Sequence, residues 1–384
     1  MTVKKKTAFW LILALLLFAL LFLLKAKREM VDFQVNYEAG KRIRTGETLY
    51  RIEDGHYQFK YPPFSSFLYV PLSFLPLVAA KAVWYAIVIA SSFLIFCLAF
   101  KLVPQKNEAR LWLKFLPPLI LARYFLREIQ LGQINAVITL LLLMMTYLLV
   151  SEDESSQPWS SPSAGILWGL ATALKPYAFI FFPYFFLKKK WKCLASGSLF
   201  LGLAFAAPAL FYGWGGNLKV HKEWISTFSR STPRLLDSQD NISLLGLLMK
   251  WTGNLKASAM ICVLILVILS GSLLLLIRRG QKIPRPMVLE SSLLLVLIPL
   301  LSPLGWDYTL LSSALGVVLV LDSFFDYPSV GRVILTINLF LITFSLYDLL
   351  GKNLYARFMS WSVITVNFMI LAGYLAYLRI KKRC

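Results

Sequence analysis

The residue best placed for chemistry is an acid just past the first long apolar run, Asp32 in "EMVDFQVNYEAG". A carboxylate at a membrane edge can take the proton from an attacking hydroxyl if it stands within hydrogen-bond reach and is partly desolvated. The same acid also suits a plain pair with Lys27 or Arg28, which is worth little at a surface. Asp237 and Asp240, in "RSTPRLLDSQDN", are rival acids. Lys175, in "ATALKPYAF", is the second candidate. An ionisable group inside an apolar segment is costly and marks function by default. Near the outer half of the membrane its ammonium would hold a phosphate as a point charge; otherwise it snorkels to an interface.

Further cations extend this pattern. Segment 25–79 carries Lys25, Lys27, Arg28, Lys41, Arg42, Arg44, Arg51 and Lys60, and Arg123 and Arg127 lie near the outer end of a short span. Long loops translocate largely regardless of charge, but such a patch also attracts anionic headgroups and sugar-phosphates. Arg51, Arg123 and Arg127 therefore join Lys175 as candidate phosphate ligands. Gln133 and Asn135, in "QLGQIN", are expensive in lipid and should face protein or a polar cavity. Tyr37, Tyr61, Asn241, Asp307 and Tyr308 are assigned to the same cavity wall, along with Trp306, for which an aromatic-belt position is the stronger reading.

Motifs for other chemistry are missing from the sequence. No Walker loop, nucleotide-binding glycine pattern or H-E-x-x-H is present. Cys97, Cys193, Cys262 and Cys384 form no C-x-x-C pair, so neither a disulfide nor a zinc site is expected, and no cofactor is. The two histidines, His56 and His221, fall in the two outer regions and have no metal-site spacing.

These groups must be positioned by a membrane scaffold. The chain is 58% hydrophobic and only 15% charged, against about 25% charged in soluble domains. Its apolar runs approach the ~20 residues that cross a bilayer. The net charge of +21 gathers at run ends, as "KKK" at 4–6, "KKKWK" at 188–192, "RRGQKIPRP" at 278–286 and "RIKKRC" at the end. That is the positive-inside pattern of a protein meeting membrane lipids, and nucleic acid is not expected as a partner. The run 8–24 lacks a small-x-small cleavage site and reads as a retained anchor.

Further spans are expected near 80–101, 111–127, 133–150, 193–213, 257–277, 287–302, 307–322, 331–347 and 355–378. "AGILWGLATALKPYAFIFFPYFFL" (164–187) is best read as a short pair hinged at Lys175-Pro176. With that pair, charge balance gives an all-α polytopic protein of about twelve membrane helices with both termini cytoplasmic. The whole chain, 1–384, then reads as one membrane domain. It has two large outer regions, 25–79 with interfacial helices over 64–77, and 214–256, where Asn241 or Ser243 would cap a helix. Together these regions roof a cavity.

The order Asp32-Phe33, "TGETLY", "YPPF", "GQIN", "GILWGLATALKP" and "LSPLGWD" resembles glycosyltransferase family 87. The similarity runs from the first span to about residue 310; each motif is weak alone, and their shared order makes the set moderately specific. The family includes polyprenol-phosphate-mannose-dependent α-1,2-mannosyltransferases. The resemblance implies the GT-C fold, a polyprenyl-phosphate sugar donor, a lipid or glycan acceptor outside the cytoplasmic membrane, and an inverting mechanism with an acidic base in the first outer loop. By motif that base is Asp32, and the family's Lys-Pro is Lys175-Pro176. Many members carry a histidine after S-P-x-x-W-D, whereas this chain has Tyr308.

The expected function is thus a metal-independent hexosyltransferase, with mannose the expected sugar, acting on the outer face of the inner membrane. Two rivals predict different things. A flippase or transporter of a lipid-linked or anionic solute would use the broken helix but form no glycosidic bond. A non-catalytic scaffold would use the outer regions to bind a protein.

Overall fold

The structure is a computed structural model that describes residues 20, 28–103, 112–155, 159–279 and 285–381. The expected first span (8–24) apart from Leu20, together with Lys25, Lys27, Lys382, Arg383, Cys384 and parts of the basic links "KLVPQKNEAR" and "RRGQKIPRP", lies outside the described residues. Among the described residues the regular structure is α-helix and 3-10 turn, with one isolated β-bridge between Asn241 and Trp306.

Segment 25–79, expected to be loop followed by interfacial helices, begins with a regular helix, α1 (Val31–Thr45). Phe33, Tyr37, Gly40 and Ile43 recur at three- and four-residue spacing and are buried, while Arg42 and Arg44 occupy the last turn, where cations suit the helix dipole. Asp32 sits in its first turn. Two 3-10 turns, Pro63–Tyr69 and Leu72–Phe74, cover the buried face of α1.

The next helices are α2 (Leu77–Leu102), α3 (Trp112–Leu131), α4 (Asn135–Ser155) and α5 (Ser160–Leu174). Helix α5 ends where Pro176 forces it to. A residue before proline is driven out of the helical region, and Lys175 is extended at φ −145° and ψ 120°. A 3-10 turn (Pro176–Ile180) and a seven-residue helix, α6 (Phe181–Leu187), complete the hinged pair. Trp168 Nε1 donates to Ala178 O at 3.0 Å and folds the turn back onto α5.

Then come α7 (Trp191–Ala206), α8 (Ala209–Ser231), α9 (Leu244–Thr252), α10 (Leu255–Arg279) and α11 (Pro286–Leu301). After a 3-10 turn over Asp307–Ser313 follow α12 (Ala314–Asp322), α13 (Ser329–Phe344), α14 (Tyr347–Ser360) and α15 (Val363–Lys381). Ser243 caps α9, its hydroxyl accepting from Gly246 N at 2.9 Å.

Four of these helices are long and apolar enough to cross a membrane: α2, α4, α10 and α15. Two bent pairs, α7 with α8 at 90° and α13 with α14 at 104°, raise the number to six among the described residues. The expected count of about twelve is not reached by length and composition. Several expected spans are short here, such as α11 with 16 residues and α12 with nine. The expected span 193–213 bends at Pro208, which cannot donate a helix hydrogen bond. The expected span 355–378 divides between α14 and α15, at Ser362 with φ 56°.

Helices α5 and α7 approach backbone to backbone through small residues. A Cβ on Gly165 would lie 2.2 Å from Cys193 O, and one on Gly197 would lie 2.3 Å from the Trp168 ring. This seam fixes the end of α5, and hence where Lys175 emerges.

Candidate active site

Four strands of sequence meet at the break between α3 and α4. Gly132 turns the chain there at φ 68°, and its missing Cβ leaves room for Phe33, whose own Cβ would stand 2.6 Å away. Trp84 Nε1 donates to Gly132 O at 2.8 Å, and Met30 N–H donates to Gln130 O at 2.9 Å. Phe33 stacks on Trp84 with ring centroids 5.8 Å apart. The start of α1 is thereby fastened to the "GQIN" turn, which brings Asp32 to Gln133.

Gln133 is the centre of the site. Its Nε2 donates to Asp32 Oδ2 at 2.7 Å and to the Tyr308 hydroxyl at 3.2 Å. Its Oε1 accepts from the Tyr61 hydroxyl at 2.9 Å and from Lys175 Nζ at 3.4 Å. Lys175 Nζ also donates to Asn135 Oδ1 at 2.8 Å and stands 4.8 Å from the centre of the Tyr61 ring, a cation–π contact. Asn135 is oriented from its other end, since its Nδ2 donates to Glu128 Oε2 at 2.8 Å. The second Glu128 oxygen accepts from Ala136 N–H at 2.8 Å, so this buried carboxylate also satisfies a free donor at the start of α4.

These groups face a cavity of about 1270 Å³ lined by Asp32, Tyr61, Gln133, Lys175, Trp306 and Tyr308, among others. Its wall includes an apolar side with Ile180, Phe228, Ile298 and Leu301. A volume above the usual 300–1,000 Å³ of a small-molecule pocket, lined by both polar and apolar side chains, suits an amphiphile larger than one sugar.

The other expected site residues sit elsewhere. Asn135 is fully buried behind Lys175. Asp307 is buried and engaged by arginines: Arg123 Nη2 lies 3.1 Å from Asp307 Oδ2, and Arg127 Nε lies 3.2 Å from Oδ1. Arg123 also donates to the Tyr355 hydroxyl at 2.7 Å and to Ser345 O. The pair of arginines therefore anchors the segment that carries Trp306 and Tyr308, rather than lining the cavity. Arg51 pairs with Glu47 on the surface, and Tyr37 spends its hydroxyl on Leu75 O at 2.8 Å. Asn241 braces the rim, its Oδ1 accepting from Gly305 N at 3.0 Å and from Ser243 N at 3.1 Å. His56 lines the cavity, while His221 stacks on Phe205 at 4.1 Å.

Sequence reasoning did not single out Glu128, Tyr177 or Asn36, and placed Lys60 only within the basic patch of 25–79. Tyr177 donates to Asn135 Oδ1 at 3.2 Å. Lys60 lines the cavity; burial lowers its ammonium pKa below the usual lysine value, and the negative Asp32 nearby opposes that. A carboxylate inside an apolar helix, as in "REIQLGQIN", was the available signal for Glu128. Among the described residues no three His, Cys, Asp or Glu side chains come together as a metal group.

The family model of glycosyltransferase family 87 matches residues 59–303, more than half of the chain. No curated protein and no solved structure matches.

Proposed function

We propose that this chain, which belongs to glycosyltransferase family 87 and is a membrane glycosyltransferase, moves a hexose from a polyprenyl-phosphate donor to a hydroxyl acceptor. Mannose is the sugar we put first. The single observation that carries the reading is that Asp32 and Lys175 line one cavity and bind the two ends of one amide, that of Gln133. A base and a phosphate-binding cation are thereby held in fixed relation, as an in-line displacement needs.

In the proposed reaction the acceptor hydroxyl gives its proton to Asp32 while its oxygen attacks the anomeric carbon. The bond from that carbon to the phosphate oxygen breaks, and the polyprenyl phosphate departs with the electron pair. Attack opposite the leaving group inverts the anomeric centre. Lys175 offsets the charge that develops on the departing phosphate. Lys60 is a second cation on the same wall. Asn135 and Tyr61 hold the Lys175 ammonium, Glu128 orients Asn135, and no metal is required for any step. The apolar wall with Phe228 and Ile298 receives the first isoprene units of the donor.

The wider reading is a GT-C arrangement of about twelve membrane helices, both termini in the cytoplasm and the cavity opening outward. Its support is the cytoplasm-type cluster "KKKWK" and the cavity roof built from 31–61 and 227–240. A transport role has lost its ground, because the family is one of transferases.

Purified protein in lipid is offered labelled polyprenyl-phosphate mannose, polyprenyl-phosphate glucose and the matching nucleotide sugars, with an extract of envelope lipids and glycans as acceptor. Transfer from a lipid-phosphate donor alone supports the reading; transfer from nucleotide sugars alone overturns it. Labelling of Glu53→Cys from outside the cell tests the orientation.

A further inference from the structure

The cavity contains polar atoms that the proposed chemistry leaves unused. Asn36 lies one helical turn beyond Asp32 on α1, so the two side chains share a face. It lines the cavity at 1% exposure, and neither its Oδ1 nor its Nδ2 has a hydrogen-bond partner. A buried amide left with both ends unpaired is costly, and such groups in a native fold call for an explanation. Among the described residues only Asn36 and Asn217 have both amide atoms buried and unpaired, and Asn217 does not line the cavity. Gln58, on the same wall, has a buried and unpaired Nε2.

We infer that Asn36, with Gln58, positions the acceptor, its amide reading the hydroxyl next to the one that attacks. This rests on the transferase reading above and deepens it. An amide offers one donor and one acceptor side by side, the complement of two neighbouring hydroxyls, where one gives a proton and the other receives one. With Asp32 one turn away, a sugar bound edge-on to Asn36 presents its next hydroxyl to the base. Gln58 Nε2 reaches a further oxygen of the same ring or of the adjoining one. A simple alkanol, or the hydroxyl of a serine side chain, has no second hydroxyl and leaves the Asn36 amide unpaired. A site built to hydrogen-bond a hydroxyl discriminates strongly against analogues that lack it.

The test uses the full-length protein in lipid with a labelled polyprenyl-phosphate hexose. The acceptor probes are octyl α-mannopyranoside, its analogues lacking one hydroxyl each, and 1-octanol. Wild type should prefer the parent glycoside over at least one monodeoxy analogue that keeps the attacking hydroxyl, and over octanol, by about 10-fold or more in kcat/KM. In Asn36→Ala the penalty for that analogue should shrink towards one, with the loss falling on acceptor KM. Gln58→Ala should compress the penalty at a different hydroxyl, and it serves where Asn36→Ala does not fold.

Equal deoxy penalties in wild type and both variants, or equal use of octanol and glycoside by wild type, overturn the inference while leaving the transferase reading standing. A wild-type protein that moves no hexose to any probe or to the envelope extract overturns both.

Discussion

Asp32 and Lys175 are tied to opposite ends of one side-chain amide: Gln133 donates to the carboxylate at 2.7 Å and accepts from the ammonium at 3.4 Å. The amide can serve both at once because its nitrogen is a donor and its oxygen an acceptor. It keeps an anion and a cation in one cavity apart and oriented, without their pairing directly. A direct pair would neutralise the base and occupy the cation that the phosphate needs.

Gln133 should therefore matter almost as much as the groups that it holds. Gln133→Leu keeps the bulk and removes both contacts, freeing two side chains to drift by an ångström or so. Turnover should fall about 100-fold, with the protein still folded. Gln133→Glu places a second carboxylate beside Asp32 and should be at least as poor. A folded Leu variant with wild-type turnover would show that the shared amide is incidental.

The alkaline limb of activity offers a test of Lys60. Burial lowers its pKa, so it sheds its charge at lower pH than a solvent-exposed lysine does. Rising pH thus removes a cation from the cavity wall and weakens capture of an anionic donor. Lys60→Arg keeps its charge throughout, so its activity should persist to higher pH than wild type. Coincident alkaline limbs would count against a role for Lys60 in holding the donor.

Asp307 should behave as a structural anchor. Truncation in Asp307→Ala leaves the largely buried Arg123 guanidinium without its carboxylate, a change of about 3–5 kcal/mol where a buried pair is broken. Arg127 is 39% exposed and adds little. The melting temperature in detergent should drop clearly, and transfer should fall with it as the Trp306–Tyr308 segment loosens. An unchanged melting temperature contradicts this assignment.

The α5–α7 seam gives a prediction free of charge effects. Gly165→Ala sets a methyl group 2.1 Å from Ser196 Oγ and 2.2 Å from Cys193 O, and the backbone carbonyl has nowhere to go. Overpacking of this kind costs about 1–3 kcal/mol. Thermal unfolding should register that loss, and Gly202→Ala, where a Cβ meets nothing, should not.

How much of this was legible in the sequence follows from how local each signal is. The break at Lys175 was readable because Pro176 acts on the residue before it. The membrane class was readable from composition, and the polar pair in "QLGQIN" from its cost in lipid. Helix α1 was hidden by its charge: the period of Phe33, Tyr37, Gly40 and Ile43 is present, but five charged residues obscure it. The arginines misled for a different reason. Arg123 finds Asp307 at a separation of 184 residues, and no local pattern announces such a partner. Asn36 carries no signal as a letter, since its interest lies only in the two unpaired atoms that the fold leaves beside Asp32.

The most direct test of the account is hexose transfer from labelled polyprenyl-phosphate mannose by wild type and Asp32→Asn, purified into the same lipid. The asparagine preserves size and can still meet Gln133, but it cannot take a proton from the acceptor. The account predicts a folded variant that binds the lipid donor and transfers at least about 100-fold more slowly. Transfer at the wild-type rate by folded Asp32→Asn would contradict it.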